Sequence, residues 1–247
     1  MIPQAVSLQS TNDCNQLKEN VTNVLRIIYE PSLPTNLSIN EPRIGVCVQA
    51  LRFGTYDVSV RLIEWLEMVR ILGAERGFID WRPISLPGNQ PNVDSLYNLW
   101  AFELGEKFWP FELVELNDCL YRNLYRYDFI AVFDIDEMIL PKKVYTWQQL
   151  IQSVEKNLTP TTLMSKAYYY NLHSHVCEVF RDKERNSQPI PDYLYMMQHT
   201  YRSYPYSKWS NIKCFHKTSH ISAIHNHSPI ECVGNKVCQG LEIDKSK

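Results

Sequence analysis

The densest run of residues able to do chemistry is Phe129-Ile130-Ala131-Val132-Phe133-Asp134-Ile135-Asp136-Glu137. Five apolar residues in a row read as a strand covered on both faces, and three carboxylates gather at its end. Asp134 and Asp136 are one residue apart at a strand terminus. Such a pair can share a hard divalent cation, because Mg²⁺ and Mn²⁺ take oxygen ligands and often complete their octahedra with diphosphate oxygens. An ion held there acts as a Lewis acid on a departing phosphate. Asp-x-Asp is short and also arises by chance. The apolar strand ahead of it gives it weight, since charges beside a buried strand are costly without a compensating cation or partner.

Two other clusters could serve the same chemistry. His225-Asn226-His227 offers imidazole ligands, but residues one apart on an extended segment point to opposite sides, so only one would join the metal. The ordinary alternative is a surface or satisfied core histidine. Lys208 and Lys213 could reach a diphosphate, and Tyr201, Tyr204, Tyr206 and Trp209 around them could stack on a sugar or base, or simply pack. His173, His175 and Cys177 suggest zinc, but no Cys-x-x-Cys accompanies them, which argues against a structural zinc site.

The elements that must position these residues follow from periodicity. Ile44–Val48 reads as a buried strand. Val58, Leu62, Leu66, Val69 and Leu72 recur at helical spacing, with Gly73 as the stop. Phe78–Ile84 reads as a strand, Leu113–Tyr125 and Thr146–Val154 as helices, and Thr162–Leu172 and Ile221–Ile224 as strands. Residues 181–211 read as loops, and a helix is predicted over Leu17–Tyr29. Strands alternating with helices indicate an α/β layered fold, in which ligands bind beyond the carboxyl ends of the strands. Asp134, Asp136 and Glu137 sit at such an end. The linker-like Pro31-Ser32-Leu33-Pro34 and the first strand divide the chain into an N-terminal segment 1–42, a compact domain 43–233 and a C-terminal tail 234–247.

Composition excludes several classes. The 247 residues carry a formal charge of −2, with 45% hydrophobic and 21% charged residues, so intrinsic disorder is excluded and the basic excess of a nucleic-acid binder is missing. Only 8 glycines argue against a glycine-rich phosphate loop. No window of about 18 apolar residues suggests a membrane span, and Met1-Ile2-Pro3-Gln4 does not open a signal peptide. The 7 cysteines and the sequons at Asn20, Asn36, Asn157 and Asn226 favour a secretory environment, with a targeting segment missing from this chain. The odd count leaves at least one thiol unbridged, and the pairing stays open.

Several motifs together carry a resemblance. They are Arg61-Leu62-Ile63-Glu64-Trp65-Leu66-Glu67 with Leu72-Gly73, Leu86-Pro87-Gly88, Leu116-Asn117-Asp118-Cys119-Leu120-Tyr121-Arg122-Asn123, Asp128 through Pro141, and Lys213-Cys214-Phe215 running to His225-Asn226-His227-Ser228-Pro229. The chain resembles glycosyltransferase family 92 over residues 44–232. That resemblance implies a GT-A fold with a mixed, mainly parallel central sheet, a UDP-sugar donor, and Mn²⁺ (or Mg²⁺) as cofactor. It also implies transfer of galactose to a glycan or glycoprotein acceptor with inversion, in the Golgi, by enzymes anchored through one N-terminal membrane helix. Carried over, Asp134 and Asp136 hold the metal and the nucleotide sugar, Glu137 belongs to the same motif, His227 closes the metal site ahead of His225, and Lys213 binds the nucleotide sugar. Glu178 and Asp192 are catalytic-base candidates by region only.

The chain departs from that pattern twice. The anchor is missing, which suggests a fragment or an alternative start. Between Gly73 and Gly77 only Ala74-Glu75-Arg76 intervene, where relatives carry a strand–helix unit of about two dozen residues. Its loss would remove sheet pairing and part of the nucleotide-side wall and leave apolar surface uncovered, giving a destabilised or inactive variant. Two other readings stand beside the transferase. One is a non-catalytic carbohydrate- or nucleotide-binding remnant. The other is a phosphohydrolase with Asp134 as nucleophile, ranked lower because Met138 replaces its usual Thr or Val and no later acidic pair follows.

Overall fold

The computed structural model describes residues 41–49, 57–74, 79–83, 105–155, 162–165, 190–198 apart from 192, 212–234 and 240–242, with Ala5–Ser7, Val24–Arg26, Tyr170-Asn171, Tyr201-Arg202 and a few single positions. The chain divides into two units, Met1–Pro34 and Thr35–Lys247. In the first, β1 (Ala5–Ser7) pairs antiparallel with β2 (Val24–Arg26), Ala5 opposite Arg26. The helix predicted over 17–29 is therefore a strand in its described part. Pairing with β1 satisfies that backbone, and tertiary contact overrides a weak local helical preference.

The second unit runs β3 (Ile44–Cys47), α1 (Ser59–Leu72), α2 (Gly105–Asn123), β4 (Phe129–Val132), α3 (Trp147–Glu155), β5 (Thr162–Ser165), β6 (Tyr170–Asn171), α4 (Tyr195–Gln198), β7 (Tyr201–Arg202), β8 (Lys213–Lys217), β9 (Ile221–Ile224), β10 (Pro229–Cys232) and β11 (Gly240–Glu242). Five strands form one sheet in the order β11-β5-β8-β4-β3. β3 is parallel to β4 and β11 is parallel to β5, while β8 is antiparallel to both its neighbours. Four strands thus share one direction and β8 runs against them, which makes a mixed α/β sheet.

Every residue of β4 is buried, as its unbroken apolar run requires. On one face Phe129, Ala131 and Phe133 join Trp65, Val69 and Leu72 of α1, Trp147, Ile151 and Val154 of α3, and Phe215 of β8. Phe133, Trp147 and Phe215 pack as an aromatic trio with centroids 5.3 to 6.2 Å apart. α2 packs against β3, β4 and β9. A disulfide between Cys47 and Cys119 joins β3 to α2, and Cys232–Cys238 closes a short loop after β10. Gly73 ends α1 at φ +113°, in the left-handed region that a side chain disfavours.

Several expectations need correction. α2 begins at Gly105, well before the predicted Leu113, and runs through Pro110 in its second turn. A proline in a helix removes a donor and ordinarily marks a boundary, which is why the pattern starts after it. The strand expected at 78–84 is absent among the described residues there: 79–83 have no regular structure, Ile79 and Trp81 are exposed, and Arg82 pairs with Asp80 at 2.8 Å. Among the described residues no strand pairs with this segment. Residues 75–78, where the strand–helix unit was read as missing, lie outside the described residues. The stretch read as loop over 181–211 contains α4 and β7. The segment read as a C-terminal tail supplies β11, because its backbone pairs with β5.

β8 was not anticipated either. It starts with a lysine and carries His216, yet it is central and four of its five residues are buried. Burial pulls the His216 imidazole down to about 3. The unfolded chain then binds a proton near pH 6.5 that the fold refuses, so stability is full above about 6.5 and falls as pH drops toward 3. The thermal midpoint is expected to decline from pH 7.5 to pH 5, and less steeply in His216→Leu; equal slopes would refute the assignment. Replacing both Cys47 and Cys119 by Ser opens a loop of 72 residues. On the loop-entropy relation this costs about 4 kcal/mol, readable by denaturant unfolding.

Candidate functional site

The sheet brings its chemistry to one edge. β3, β4 and β5 end there and β8, running the other way, begins there, with Ser165 opposite Lys213. Asp134 and Glu137 lie just past β4 in a turn whose ends hold each other. The Glu137 N–H donates to the Asp134 carbonyl at 3.0 Å, and the Asp134 N–H donates to Glu137 Oε2 at 3.1 Å. Two indoles fix the chain beyond. Trp65 donates to the Glu137 carbonyl at 2.8 Å, and Trp147 donates to the Ile139 carbonyl at 2.6 Å. Gln49, two residues past β3, donates to Asp134 Oδ1 at 2.7 Å.

Lys213 lies at the centre. Its side chain is only 8% exposed, and Nζ meets Glu137 Oε2 at 2.5 Å, Asn226 Oδ1 at 2.6 Å and Asp134 Oδ2 at 3.5 Å. A buried ammonium is costly unless paired and hydrogen-bonded, and these three oxygens meet that need. The Asn226 amide also donates to buried Glu112, whose Oε1 has no hydrogen-bond partner among the described residues. Burial, then the charge of Asp134, pushes the Glu112 carboxyl above its ordinary value. Burial likewise raises Glu137, with Lys213 pulling it back. Folding thus favours the protonated form of both acids, a contribution present at low pH and lost as pH rises through the folded-state values.

The histidines occupy the turn between β9 and β10, where the His225 N–H donates to the Ser228 carbonyl at 2.8 Å. This turn overturns the expectation of opposite-facing rings: the two centroids are 5.9 Å apart. The turn is held from below. Asn117 exchanges two 2.9 Å bonds with the backbone of Ile224, Tyr121 donates to the Ser222 carbonyl, and the Cys214 thiol donates to the His227 carbonyl at 3.1 Å. Burial pushes that thiol up to about 12, so it stays protonated. His227 Nδ1 lies 3.0 Å from the Ile212 carbonyl. That contact requires Nδ1–H and leaves Nε2 as the lone-pair nitrogen, the second-shell arrangement of many metal-binding histidines. Burial and then Lys213 hold the His225 and His227 pKa values below the ordinary one, which favours the neutral form of both rings.

Of the residues singled out in the sequence, Asp134, Glu137 and Lys213 are in direct contact, and His227 is near enough to feel the charges of Lys213 and Asp134. Asp136 is exposed on the turn between Asp134 and Glu137. Lys213 is turned into this network rather than out to solvent. Among the described residues no three His, Cys, Asp or Glu side chains already form a metal cluster. The donor types nevertheless suit Mn²⁺ or Mg²⁺: Asp134 Oδ2 is held only loosely by Lys213, Asp136 is open, and His227 Nε2 carries a lone pair. Glu178, Asp192 and Lys208 lie outside the described residues.

Gln49, Glu112 and Asn226 escaped the sequence reading. Asn226 was counted as a sequon, but it is buried and bonded to Lys213. Asn226→Ala leaves two buried groups a partner short and is expected to lower the unfolding free energy by about 2 kcal/mol, measured by urea unfolding. Glycopeptide mapping of secreted protein is expected to find Asn226 unmodified; a glycan there would contradict its buried position.

Comparison with curated proteins gives no match. The family model for glycosyltransferase family 92 matches residues 75–247, well over half of the chain. The match begins just after α1, so β3 and α1 lie outside it, and it continues through β11 to the last residue. It contains the Asp134–Glu137 turn, Lys213 and the histidine turn, and by that match the chain belongs to glycosyltransferase family 92.

Proposed function

We propose that this chain transfers a hexose, galactose foremost, from a UDP-sugar to a glycan or glycoprotein acceptor, on a GT-A-type fold and with a divalent metal. The observation that carries this reading is the Asp134–Glu137 turn beyond the carboxyl end of buried β4, facing the histidine turn and lying within the matched family region. Ligands of open α/β sheets bind at that edge. Asp134, Asp136 and His227 would hold Mn²⁺ or Mg²⁺, which when bound neutralises charge on the diphosphate. Gln49 orients the Asp134 carboxylate, and the two indoles keep the turn from moving as charge develops. That is the kind of preorganisation that lowers a barrier.

In the reaction an acceptor hydroxyl oxygen forms a bond to the anomeric carbon while the bond from that carbon to the diphosphate breaks. The hydroxyl proton passes to a carboxylate, proposed as Glu178 or Asp192, and one displacement inverts the centre. The disulfides support an oxidising compartment such as the Golgi lumen. Among the described residues no helix is long and apolar enough to cross a membrane. A second reading, an impaired variant that binds donor without turnover, is favoured by the family match starting only at Glu75 and by the exposed segment 79–83, which has no regular structure.

Release of UDP is the measurement that tests the proposal. Transfer in Mn²⁺ is expected to cease on chelation and to fall at least about 100-fold in Asp136→Ala. Activity that survives both would end the metal-dependent reading. Donor binding without turnover in the unsubstituted chain would select the impaired form.

A further inference from the structure

We infer that Lys213 is a tethered cation that shares Asp134 with the divalent ion and so sets how tightly that ion is held. This rests on the metal-dependent reading above. Asn226 draws the buried ammonium to 2.6 Å and Glu137 binds its other side, yet Nζ still stands 3.5 Å from Asp134 Oδ2. Gln49 occupies Oδ1, leaving Oδ2 as the oxygen open to an ion. A metal and a fixed positive charge therefore meet at one carboxylate oxygen, in a partly buried place where water screens them weakly. The surroundings remain acidic, with Glu112, Glu115, Asp136 and Glu137 nearby in the fold or the chain. Lys213 offsets one unit of that charge permanently. An ion arriving at Oδ2 is expected to push Nζ back onto Glu137 and Asn226, which already hold it. The protein thereby keeps its metal exchangeable instead of trapping it. Lys213 is a positioning residue here, acting on the ion through Asp134.

Mn²⁺ binding to the full chain, followed by loss of the free-ion electron paramagnetic resonance signal, tests this without reference to turnover. Lys213→Met is expected to bind Mn²⁺ about tenfold more tightly, Lys213→Arg within about twofold of the unsubstituted chain, and Asp136→Ala hardly at all. A merely structural lysine would give weaker binding in Lys213→Met, and unchanged or weaker binding overturns the inference. If the unsubstituted chain binds no Mn²⁺, the metal reading falls and takes this inference with it. If Asp136→Ala abolishes binding while Lys213→Met leaves it unaltered, the inference alone falls. Should Lys213→Met fail to fold, a crystal of the unsubstituted chain with Mn²⁺ decides. Nζ is expected beyond 3.5 Å from Asp134 Oδ2 and still on Asn226; an unmoved Nζ beside a bound ion refutes the idea.

Discussion

One buried positive charge organises this protein. The Lys213 ammonium is drawn out of water at the head of a central strand, and it must be surrounded by oxygens to stay there. It gathers Glu137 from the turn after β4 and Asn226 from the turn after β9, and it approaches Asp134. Remove the ammonium and several carboxyls face one another in a partly buried place. Remove its partners and an uncompensated charge remains. Either loss is far more costly than the pair is worth in isolation, so the two turns and the strand are bound to keep their relative places.

The packing around this charge explains why distant segments matter. Asn117 and Cys119 sit two apart on α2, and each ties down a different part of the site. Asn117 clamps β9, which leads into the histidine turn, while Cys119 bridges to Cys47, two residues before Gln49. Trp65 and Trp147 do the same from the opposite layer by capping the carbonyls of Glu137 and Ile139. Irregular backbone beyond a strand has no ladder to satisfy it. Here indole donors from two helices meet that need while their rings fill the core.

Much of the layout was legible because burial leaves a pattern. The unbroken run Phe129–Phe133 identified a doubly covered strand, and the spacing from Val58 to Leu72 with Gly73 after it identified α1 and its end. The carboxylate cluster was legible because it interrupts an apolar run, and the structure joins Asp134 and Glu137 in one turn with Asp136 between them. The site was hidden where polar residues are buried for one another's sake. Lys213 and His216 broke the apolar signal of β8 although both lie inside, and Asn226 carries a sequon that gives no hint of its burial. Single-residue reading assigns each polar side chain to solvent by default, and only a partner supplied by another element reverses that.

The amino-acid order alone therefore determined the local quantities: which runs are apolar, where helices stop, and which carboxylates crowd a strand end. These depend on neighbours within a few residues, through steric preference and periodic burial. Tertiary structure decided the rest. It ran β8 against its neighbours so that Lys213 arrives where β4 ends, bent His225 and His227 into one turn, and drew 240–242 onto β5. Those outcomes rest on pairing between segments far apart in the chain, where the energy of burying a charge or completing a backbone ladder belongs to two elements at once and is written in neither.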